Sequence, residues 1–229
     1  MPENAPGSVL PGLAKEPYLN FSAMPDILYL HGFAQTSPQE TAQLRALRAA
    51  LPEFRTHAPV YHPNGDVRAT RISSALESAI SIIEKTAAQK MHLVGYSFGG
   101  WMCALLAEQR PDLVDRVLLL APAIDNYERN YALKPQAEWH MSSDFVDEVR
   151  RQPARPTIPR PTTLVHGALD TDDGGSAPWR VAAWAAAQPF AAVHLLEGVD
   201  HDLEPWISAT PPFLPPFAQL VREALHAKS

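Results

Sequence analysis

Residues 91–100, "MHLVGYSFGG", join a run of apolar residues to a serine that has glycines on both sides. The apolar run predicts a buried strand over 90–95, and "FGGWMCALLAEQR" predicts a helix over 98–110. A cramped turn from a strand into a helix requires small residues around its central residue. Two interpretations of the serine are possible: a turn that holds the Ser97 hydroxyl outward, or a Gly-rich loop whose serine only caps the next helix. This context favours the turn.

Short apolar runs alternate with longer amphipathic runs on both sides of this turn. The further strands that this pattern predicts are 26–32, 55–60, 114–122, 161–167 and 191–198. The further predicted helices are 37–53, 69–89, 142–152, 176–188 and 215–227. Strands that alternate with helices indicate an α/β fold, with a mostly parallel six-stranded sheet and helices on both faces.

The first predicted helix carries a signal for its N-terminus. The letters "SPQE" at 37–40 provide a serine cap, a proline at the first helical position and a glutamate three residues after the serine. Leu44, Leu47 and Leu51 then follow at spacings of three and four residues, which predicts one buried stripe. The pattern therefore predicts that the helix begins directly after Ser37.

Length and composition bound the domain organisation. A chain of 229 residues is long enough for one α/β domain and short for two. Residues 1–25 are interrupted by prolines, and we assign them to an irregular N-terminal arm before a domain that spans 26–229. Residues 123–160 interrupt the alternation with polar, aromatic and proline residues, which predicts a small cap-like insert.

Charge and cysteine content argue against several classes of partner. The formal net charge of −6 and the scattered Lys and Arg residues do not suit nucleic acid or an anionic membrane. No apolar run approaches the roughly 20 residues of a spanning helix, and the N-terminus lacks the basic start of a secretory signal. One cysteine, Cys103, suits a reducing compartment and a small core position. We expect a cytoplasmic protein, and the oligomeric state stays open.

Residues suited to catalysis follow several predicted strands, whose carboxyl ends share one edge of a parallel sheet. Gly95 and Gly99 lie two residues before and after Ser97, which is the spacing of a nucleophile turn. A hydroxyl nucleophile needs an imidazole base, and the imidazole needs an acid that fixes its tautomer. His201 in "EGVDHD" and Asp170 in "HGALD" can supply these groups, and the chain order is Ser97, Asp170, His201.

Attack of a hydroxyl on a carbonyl creates an oxyanion, which needs hydrogen-bond donors. The backbone N–H of Phe98 follows Ser97 directly, and we expect the N–H of Phe33 in "HGFAQ" to be the second donor. His31, in the same loop, is expected to brace that loop rather than to act as a second base. His57 and His92, in or beside strands, are predicted to be structural, and no catalytic role is expected for the other histidines considered, which are His62, His140, His194 and His226.

These segments resemble the α/β-hydrolase superfamily. "YLHGF", "GYSFGGW", "LVHGALD" and "GVDHD" stand in its order, and the likeness extends from about residue 26 to the end. More closely, "LYLHGFAQTSPQETAQLRALRAAL" and "SSDFVDEVRR" are similar to segments of the small bacterial YqiA-like esterases. The resemblance implies an α/β-hydrolase fold and ester hydrolysis through an acyl-enzyme, with no metal and no organic cofactor. It implies Ser97 as the nucleophile, His201 as the base and then acid, and Asp170 as the orienting acid.

One departure from the family pattern leaves the identity of the acid open. Relatives continue after the acid with an apolar residue and a proline, whereas this chain reads "DTDDGGSAP". Asp170 keeps the usual place four residues after His166, but Asp172 and Asp173 lie close enough in the chain to compete. Asp125, after the fourth predicted strand, is a further alternative. We favour Asp170.

The predicted insert contributes candidate substrate-binding residues. They are the aromatic side chains of Tyr127, Tyr131 and Trp139, together with Met141 and Phe145. These side chains either line an acyl pocket or pack the insert onto the body of the domain. Because the insert is short, we expect small or short-acyl substrates rather than long lipids.

The expected activity is that of a serine esterase acting on a small-molecule ester. A thioesterase that acts on acyl-CoA or carrier-bound acyl groups would use the same residues, as would a cofactor-free lyase or isomerase. A binding module that keeps the glycine-flanked serine as a relic is a different alternative. Such a module is expected to lack one of the three catalytic residues, and none of them is missing here.

Overall fold

The structure is a computed structural model. It describes residues 24–33, 35, 37, 39, 41–86, 90–125, 142–171, 176–203, 205–207 and 215–226. The strands within these ranges are β1 (Asp26–Leu30), β2 (Arg55–His57), β3 (Met91–Tyr96), β4 (Val114–Leu120), β5 (Thr162–Gly167) and β6 (Ala191–Leu196). The α-helices within them are α1 (Ala42–Ala50), α2 (Ile72–Thr86), α3 (Phe98–Gln109), α4 (Ser143–Arg151), α5 (Pro178–Ala186) and α6 (Pro215–His226).

The strands form one six-stranded sheet in the order β2-β1-β3-β4-β5-β6. Every neighbouring pair in this order is parallel, so the predicted parallel sheet is confirmed. Because all these strands run in the same direction, the residues that follow β1, β3, β5 and β6 lie at a common edge. This edge is where an open parallel sheet places its functional residues.

Helices cover both faces of the sheet and bury two apolar clusters. Side chains of α1 and α6 pack in one cluster, and side chains of α2, α3, α4 and α5 pack in the other. Successive residues of a strand point to opposite faces of the sheet. Accordingly, Ile27 and Tyr29 of β1 belong to the first cluster, whereas Leu28 and Leu30 belong to the second. The predicted helix layers on both faces are therefore present.

The first helix begins later than the sequence predicts. Its cap is Thr41, whose Oγ1 accepts a hydrogen bond from the Leu44 N–H at 3.2 Å. Ser37 lies four residues before this cap and is exposed, so the predicted start of the helix is wrong. The physical reason is that the Thr41 hydroxyl supplies the cap, and in the loop before it Gln35 accepts from the Gly32 N–H at 2.9 Å and donates to Gln43 of the helix at 3.2 Å.

Helix α4 anchors the residues between β4 and β5 to the start of α2. Oε2 of Glu148 accepts hydrogen bonds from the N–H groups of Ile72 at 2.5 Å and Ser73 at 3.3 Å. Oε1 of Glu148 accepts from the Ser73 hydroxyl at 2.7 Å, and Arg71 donates to Asp144 at 2.7 Å. A carboxylate at this place satisfies N–H groups that have no partner within α2 and complements the helix dipole.

Parts of the predicted domain organisation fall on residues outside the described ranges. These parts are residues 1–23 of the arm and residues 126–141 of the insert. The division into an arm, a domain over 26–229 and an insert over 123–160 therefore stays a prediction. Among the described helices, none is both long enough and apolar enough to cross a membrane.

Candidate active site

Ser97 occupies a strained turn between β3 and α3. Its φ of 51° and ψ of −117° lie in a region that residues with side chains rarely adopt. A Cβ atom on Gly95 would lie 2.3 Å from the carbonyl oxygen of Gly99. A Cβ atom on Gly99 would lie 2.0 Å from the carbonyl oxygen of Leu30. The glycines therefore allow the ends of β1 and β3 to approach the start of α3 closely.

The side chain of Ser97 does not cap the helix that follows it. Although Ser97 precedes α3 directly, its hydroxyl makes no capping hydrogen bond. Its Oγ instead lies 3.0 Å from Nε2 of His201. The backbone of the turn is fixed, since the Ser97 N–H donates to Leu120 and its carbonyl accepts from the Ala123 N–H at 3.0 Å. This geometry fits the outward-held hydroxyl and does not fit the capping serine.

His201 and Asp170 form a continuous chain of hydrogen bonds with Ser97. Asp170 follows the end of β5 by three residues, and His201 follows the end of β6 by five. Because a carboxylate accepts, the His201 Nδ1–H donates to Oδ2 of Asp170, at 2.7 Å, and Nε2 is left to accept the Ser97 hydroxyl. The Asp170 side chain is 1% exposed and the His201 side chain 20%. The structure thus brings together the three residues that the sequence predicts as a catalytic set.

Of the candidate acids, Asp170 is the one that the structure places on His201. Asp125 lies elsewhere and pairs with Arg155 at 2.5 Å and with Arg180 at 3.7 Å. The remaining candidates, Asp172 and Asp173, lie outside the described residues. Asp125 therefore has a structural partnership of its own and does not orient the ring of His201.

A second histidine, for which the sequence predicts no function, also contacts Asp170. His166 is the penultimate residue of β5, is fully buried, and has its Nε2 3.1 Å from Oδ2 of Asp170. Burial raises the pKa of the Asp170 carboxyl, but hydrogen bonds from His166 and His201 outweigh this effect and hold the pKa below its ordinary value. The only sequence signal for this contact between His166 and Asp170 is their four-residue spacing in "HGALD". That spacing does not reveal that the chain turns back after Gly167, where the Asp170 N–H donates to the Gly167 carbonyl.

The loop that carries His201 is fixed from two sides. The Tyr96 hydroxyl donates to Oδ1 of Asp202 at 2.6 Å, and the side-chain amide of Gln43 donates to the Asp202 carbonyl at 3.3 Å. On the other side, the loop packs so closely on β5 that a Cβ on Gly167 would lie 2.3 Å from the Asp200 carbonyl oxygen. Tyr96 and Asp202 are neighbours of predicted site residues, but their sequence spacing does not show that they touch.

Phe33 and Phe98 lie next to each other on two different elements. Phe98 is the first residue of α3, and Phe33 follows the end of β1 by three residues. Their rings pack edge to face with centroids 5.3 Å apart. The residue after the nucleophile and the loop after the first strand are the sources of oxyanion donors in this type of turn. The role of the two backbone amides as donors stays a prediction.

His31 braces the loop after β1. Its Nδ1–H donates to the Gly32 carbonyl at 2.8 Å, and its ring stacks on Tyr61 with centroids 3.9 Å apart. The Tyr61 hydroxyl in turn donates to the His31 carbonyl oxygen. Burial lowers the pKa of His31 to about 4, so the ring is uncharged at neutral pH. The predicted bracing role fits these contacts.

The predicted substrate-binding residues of the insert fall into two groups. Those outside the described residues are Tyr127, Tyr131, Trp139 and Met141. Phe145 lies in α4, is 1% exposed, and packs against Phe33 and Phe98 with ring centroids 5.3 and 6.0 Å apart. For Phe145 the second alternative therefore holds, because it packs the insert onto the body.

Cys103 has the structural place that the sequence predicts. It is fully buried in α3, and burial raises the pKa of its thiol, which disfavours the reactive thiolate. Among the described residues, the histidines for which no catalytic role is predicted make no hydrogen bond to Ser97; they are His57, His62, His92, His194 and His226. His140 lies outside the described residues.

Comparison with known proteins places this geometry in a family. The model of an uncharacterised protein family, UPF0227, matches residues 26–150, which is more than half of the chain. The match runs from the start of β1 through Ser97 into α4. No curated protein matches the sequence.

Solved structures share the fold at low sequence identity. Est1E from Butyrivibrio proteoclasticus, solved with ferulic acid bound, has a TM-score of 0.72 and 16% identity, over 87% of each chain. Alpha/beta hydrolase domain-containing protein 10 from mouse has a TM-score of 0.61 and 21% identity, over 77% of this chain and 82% of that chain. The esterase domain of a Rhodothermus marinus protein has a TM-score of 0.61 and 17% identity, over 82% of each chain.

At these identities the solved structures show the fold, and the family model shows the family. The fold they share with this chain is that of the α/β hydrolases, which confirms the predicted fold class. The chain belongs to the uncharacterised protein family UPF0227, and it has the α/β-hydrolase fold.

Proposed function

We propose that this protein is a serine hydrolase that cleaves carboxylic esters of small or short-acyl substrates. The observation that carries the proposal is the chain of hydrogen bonds from Ser97 through His201 to Asp170, at 3.0 and 2.7 Å, on a strained turn. The fold alone supports many activities, and it is these side chains that indicate hydrolysis. Two proteins that share the fold are named as esterases or bind an aromatic acid, which supports carboxylic esters as the first substrates to test.

The proposed reaction proceeds in two steps through an acyl-enzyme. Ser97 Oγ forms a bond to the carbonyl carbon while Nε2 of His201 takes the hydroxyl proton. The backbone amides of Phe33 and Phe98 donate hydrogen bonds to the oxyanion. His201 then gives its proton to the leaving alcohol, and afterwards it removes a proton from the water that hydrolyses the acyl-enzyme.

Asp170 has a distinct task in this scheme. Its carboxyl is ionised at neutral pH because the hydrogen bonds that it accepts hold its pKa below the ordinary value despite burial. An ionised carboxylate on Nδ1 fixes the tautomer in which Nε2 is free to accept a proton. It also stabilises the positive charge that the ring carries during each step.

The direct test is covalent labelling together with a substrate panel. A fluorophosphonate probe is expected to label the wild-type protein and the Ser74→Ala variant, whose serine is exposed on α2, but not Ser97→Ala. On aryl esters with acyl chains from acetyl to octanoyl, Ser97→Ala is expected to lose at least about 10⁴-fold in kcat. If Ser97→Ala keeps most of its turnover, or if the probe does not label the wild-type protein, the proposal is wrong.

The same panel separates the alternative activities. Thioesters matched to each oxygen ester measure whether sulfur leaving groups are preferred, because both classes use the same three residues. Feruloyl esters extend the panel to aromatic acids. A protein that is labelled at Ser97 but cleaves neither kind of ester would instead favour a lyase or isomerase.

We further propose that Tyr127, Tyr131 and Trp139 line the acyl pocket. The proposal follows from their position in the chain, directly after the end of β4, whose carboxyl end lies at the edge that carries Ser97. Trp139→Ala is expected to change the preferred acyl length without changing the rate of fluorophosphonate labelling. An unchanged acyl-length profile would contradict the pocket.

A further inference from the structure

The two oxygens of the Asp170 carboxylate have different surroundings. Oδ2 is approached by two histidine rings, by Nδ1 of His201 at 2.7 Å and by Nε2 of His166 at 3.1 Å. Oδ1 is buried and has no hydrogen-bond partner among the described residues. Among the described residues, the contacts that orient the carboxylate are therefore made at Oδ2, and His166 is the contact there that does not move with the catalytic ring.

The hydrogen of the His166 ring can be placed from its contacts. Nε2 lies 2.7 Å from the carbonyl oxygen of Ser176, and a carbonyl oxygen can only accept a hydrogen bond. Nε2 therefore carries the hydrogen, which it donates to the Ser176 carbonyl, and the same nitrogen lies 3.1 Å from Oδ2 of Asp170. Nδ1 of His166 has no hydrogen-bond partner in the described part of the chain. No contact of the ring therefore requires a hydrogen on Nδ1 as well.

The position of His166 is itself fixed by packing. His166 and Ser176 are both fully buried, and the Ser176 hydroxyl donates to the Ile124 carbonyl at 2.6 Å. His166 is thus held by its own strand, β5, and by its hydrogen bond to Ser176. Ser176 is in turn bonded to Ile124, which follows β4. A side chain held in this way can fix the geometry of a functional group that it contacts.

We propose that His166 is a positioning residue for Asp170: its Nε2–H holds Oδ2 in the orientation that receives His201. The inference rests on the proposed catalytic set and adds to it a residue that does not touch the substrate. Without this donor, the carboxylate still faces His201 but is no longer held at a fixed angle to the His201 ring. The negative charge on Oδ2 would then interact with the His201 ring alone. It would stabilise the protonated form of that ring more strongly.

The low pKa of Asp170 agrees with this placement. Burial acts to raise it, and the hydrogen bond from His166 is the largest of the effects that lower it. Among the described residues, Tyr96 of β3 faces the pair, and its hydroxyl is bonded to Asp202 in the loop after β6. All of these groups are unchanged in the variants used below, so a shift in titration reports on His166.

The test compares His166→Gln with His166→Leu in the full chain. Glutamine can place an N–H near the position of Nε2, whereas leucine fills a similar volume without a donor. The titration of the His201 ring is followed by NMR with ¹⁵N-labelled histidine, which requires no substrate. We expect the midpoint to move to higher pH by roughly one unit in His166→Leu and to return close to the wild-type value in His166→Gln.

Kinetics on an ester that the wild-type protein cleaves provide the second readout. His166→Leu is expected to lower kcat about tenfold to a hundredfold with little change in KM, because His166 touches Asp170 and not the substrate. The acid limb of the profile of kcat against pH should move in the same direction as the NMR midpoint. His194→Leu, on the exposed part of the edge strand β6, is the matched control and should change neither.

The outcomes separate positioning from a structural role. If His166→Leu and His166→Gln lower the free energy of unfolding but leave the His201 midpoint and the pH profile unchanged, the proposal is overturned. If the leucine variant does not fold, His166→Asn replaces it, since its shorter amide does not reach Oδ2. A shifted midpoint in a protein that cleaves no ester would support the placement of Asp170 by His166 and contradict the proposed esterase activity.

Discussion

The hydroxyl of Tyr96 donates a hydrogen bond to Oδ1 of Asp202 at 2.6 Å, which joins the residue before Ser97 to the residue after His201. The ring of Tyr96 also lies 5.6 Å from the ring of His201. Two loops that are far apart in the sequence are therefore tied together directly beside the hydrogen bond between Ser97 and His201. This tie fixes the distance over which a proton would pass.

Tyr96→Phe removes this tie and keeps the aromatic ring. We expect a loss of about 1 kcal/mol in the free energy of unfolding and a decrease of about fivefold to tenfold in kcat/KM. Urea denaturation and ester kinetics measure the two effects. Asp202→Asn is the control, because its amide oxygen can still accept the Tyr96 hydroxyl and both quantities should stay near wild type. Unchanged kcat/KM in Tyr96→Phe would show that the loop of His201 is fixed by other contacts.

The strained backbone at Ser97 predicts that this residue lowers the stability of the fold while it supplies the hydroxyl needed for activity. At φ 51° and ψ −117° glycine is favoured over any residue with a side chain, so Ser97→Gly should relieve strain that Ser97→Ala retains. We expect Ser97→Gly to be more stable than Ser97→Ala by about 1 kcal/mol, although both lack the hydroxyl. Paired urea denaturation curves measure the difference. Equal stability of the two variants would mean that the turn carries no strain.

The close approach of Gly99 to β1 predicts a large steric penalty. Gly99→Ala places a Cβ 2.0 Å from the Leu30 carbonyl oxygen, and we expect a loss of more than about 3 kcal/mol in unfolding free energy. Gly198→Ala is the control, since its Cβ meets nothing within 4 Å and its φ of 73° should cost only about 1–2 kcal/mol. Similar losses in both variants would contradict the steric explanation.

Burial of His31 predicts that stability falls under mildly acidic conditions. Its pKa is lowered from 6.5 to about 4, so between these pH values the unfolded chain binds a proton that the folded chain does not. The stabilisation that the uncharged His31 ring contributes to the folded state is therefore complete above pH 6.5, and it is lost as the pH falls toward 4. Burial also lowers the pKa of His62 and His92, which adds to the loss in the same direction.

The slope of unfolding free energy against pH tests the contribution of His31. In His31→Asn, which can still donate to the Gly32 carbonyl, the slope between pH 6.5 and 4 should decrease by up to about 1.4 kcal/mol per pH unit. His194→Asn, at an exposed position, should leave the slope unchanged. A wild-type slope in His31→Asn would show that protonation of His31 does not limit stability in acid.

Much of the fold follows from the sequence because the determining signals are local. A buried parallel strand is a short apolar run and an amphipathic helix repeats its apolar residues at three and four, so each predicted strand is found within a few residues of its expected bounds. The turn at Ser97 is also a local feature, because it requires the glycines that surround it. The placement of His201 and Asp170 then follows from the common edge of the parallel strands.

The features that the sequence does not predict depend on contacts between distant segments. Helix α1 begins after the Thr41 cap, its Gln43 contacts Gln35 and the distant Asp202 carbonyl, and the "SPQE" signal carries no information about these contacts. Likewise, neither His166 nor Glu148 stands in a recognisable motif. Their partners, Asp170 and the first N–H groups of α2, are set by how a turn closes and how an insert packs.

The carboxylate of Glu148 has a consequence for engineering of this chain. This carboxylate accepts hydrogen bonds from the first N–H groups of α2. Helix α4 therefore cannot be deleted without disturbing the start of α2. A deletion that removes α4 would leave amides of Ile72 and Ser73 without an acceptor and would expose Phe98 to water. Variant libraries aimed at altered selectivity should therefore retain 142–151 and diversify the stretch that precedes it.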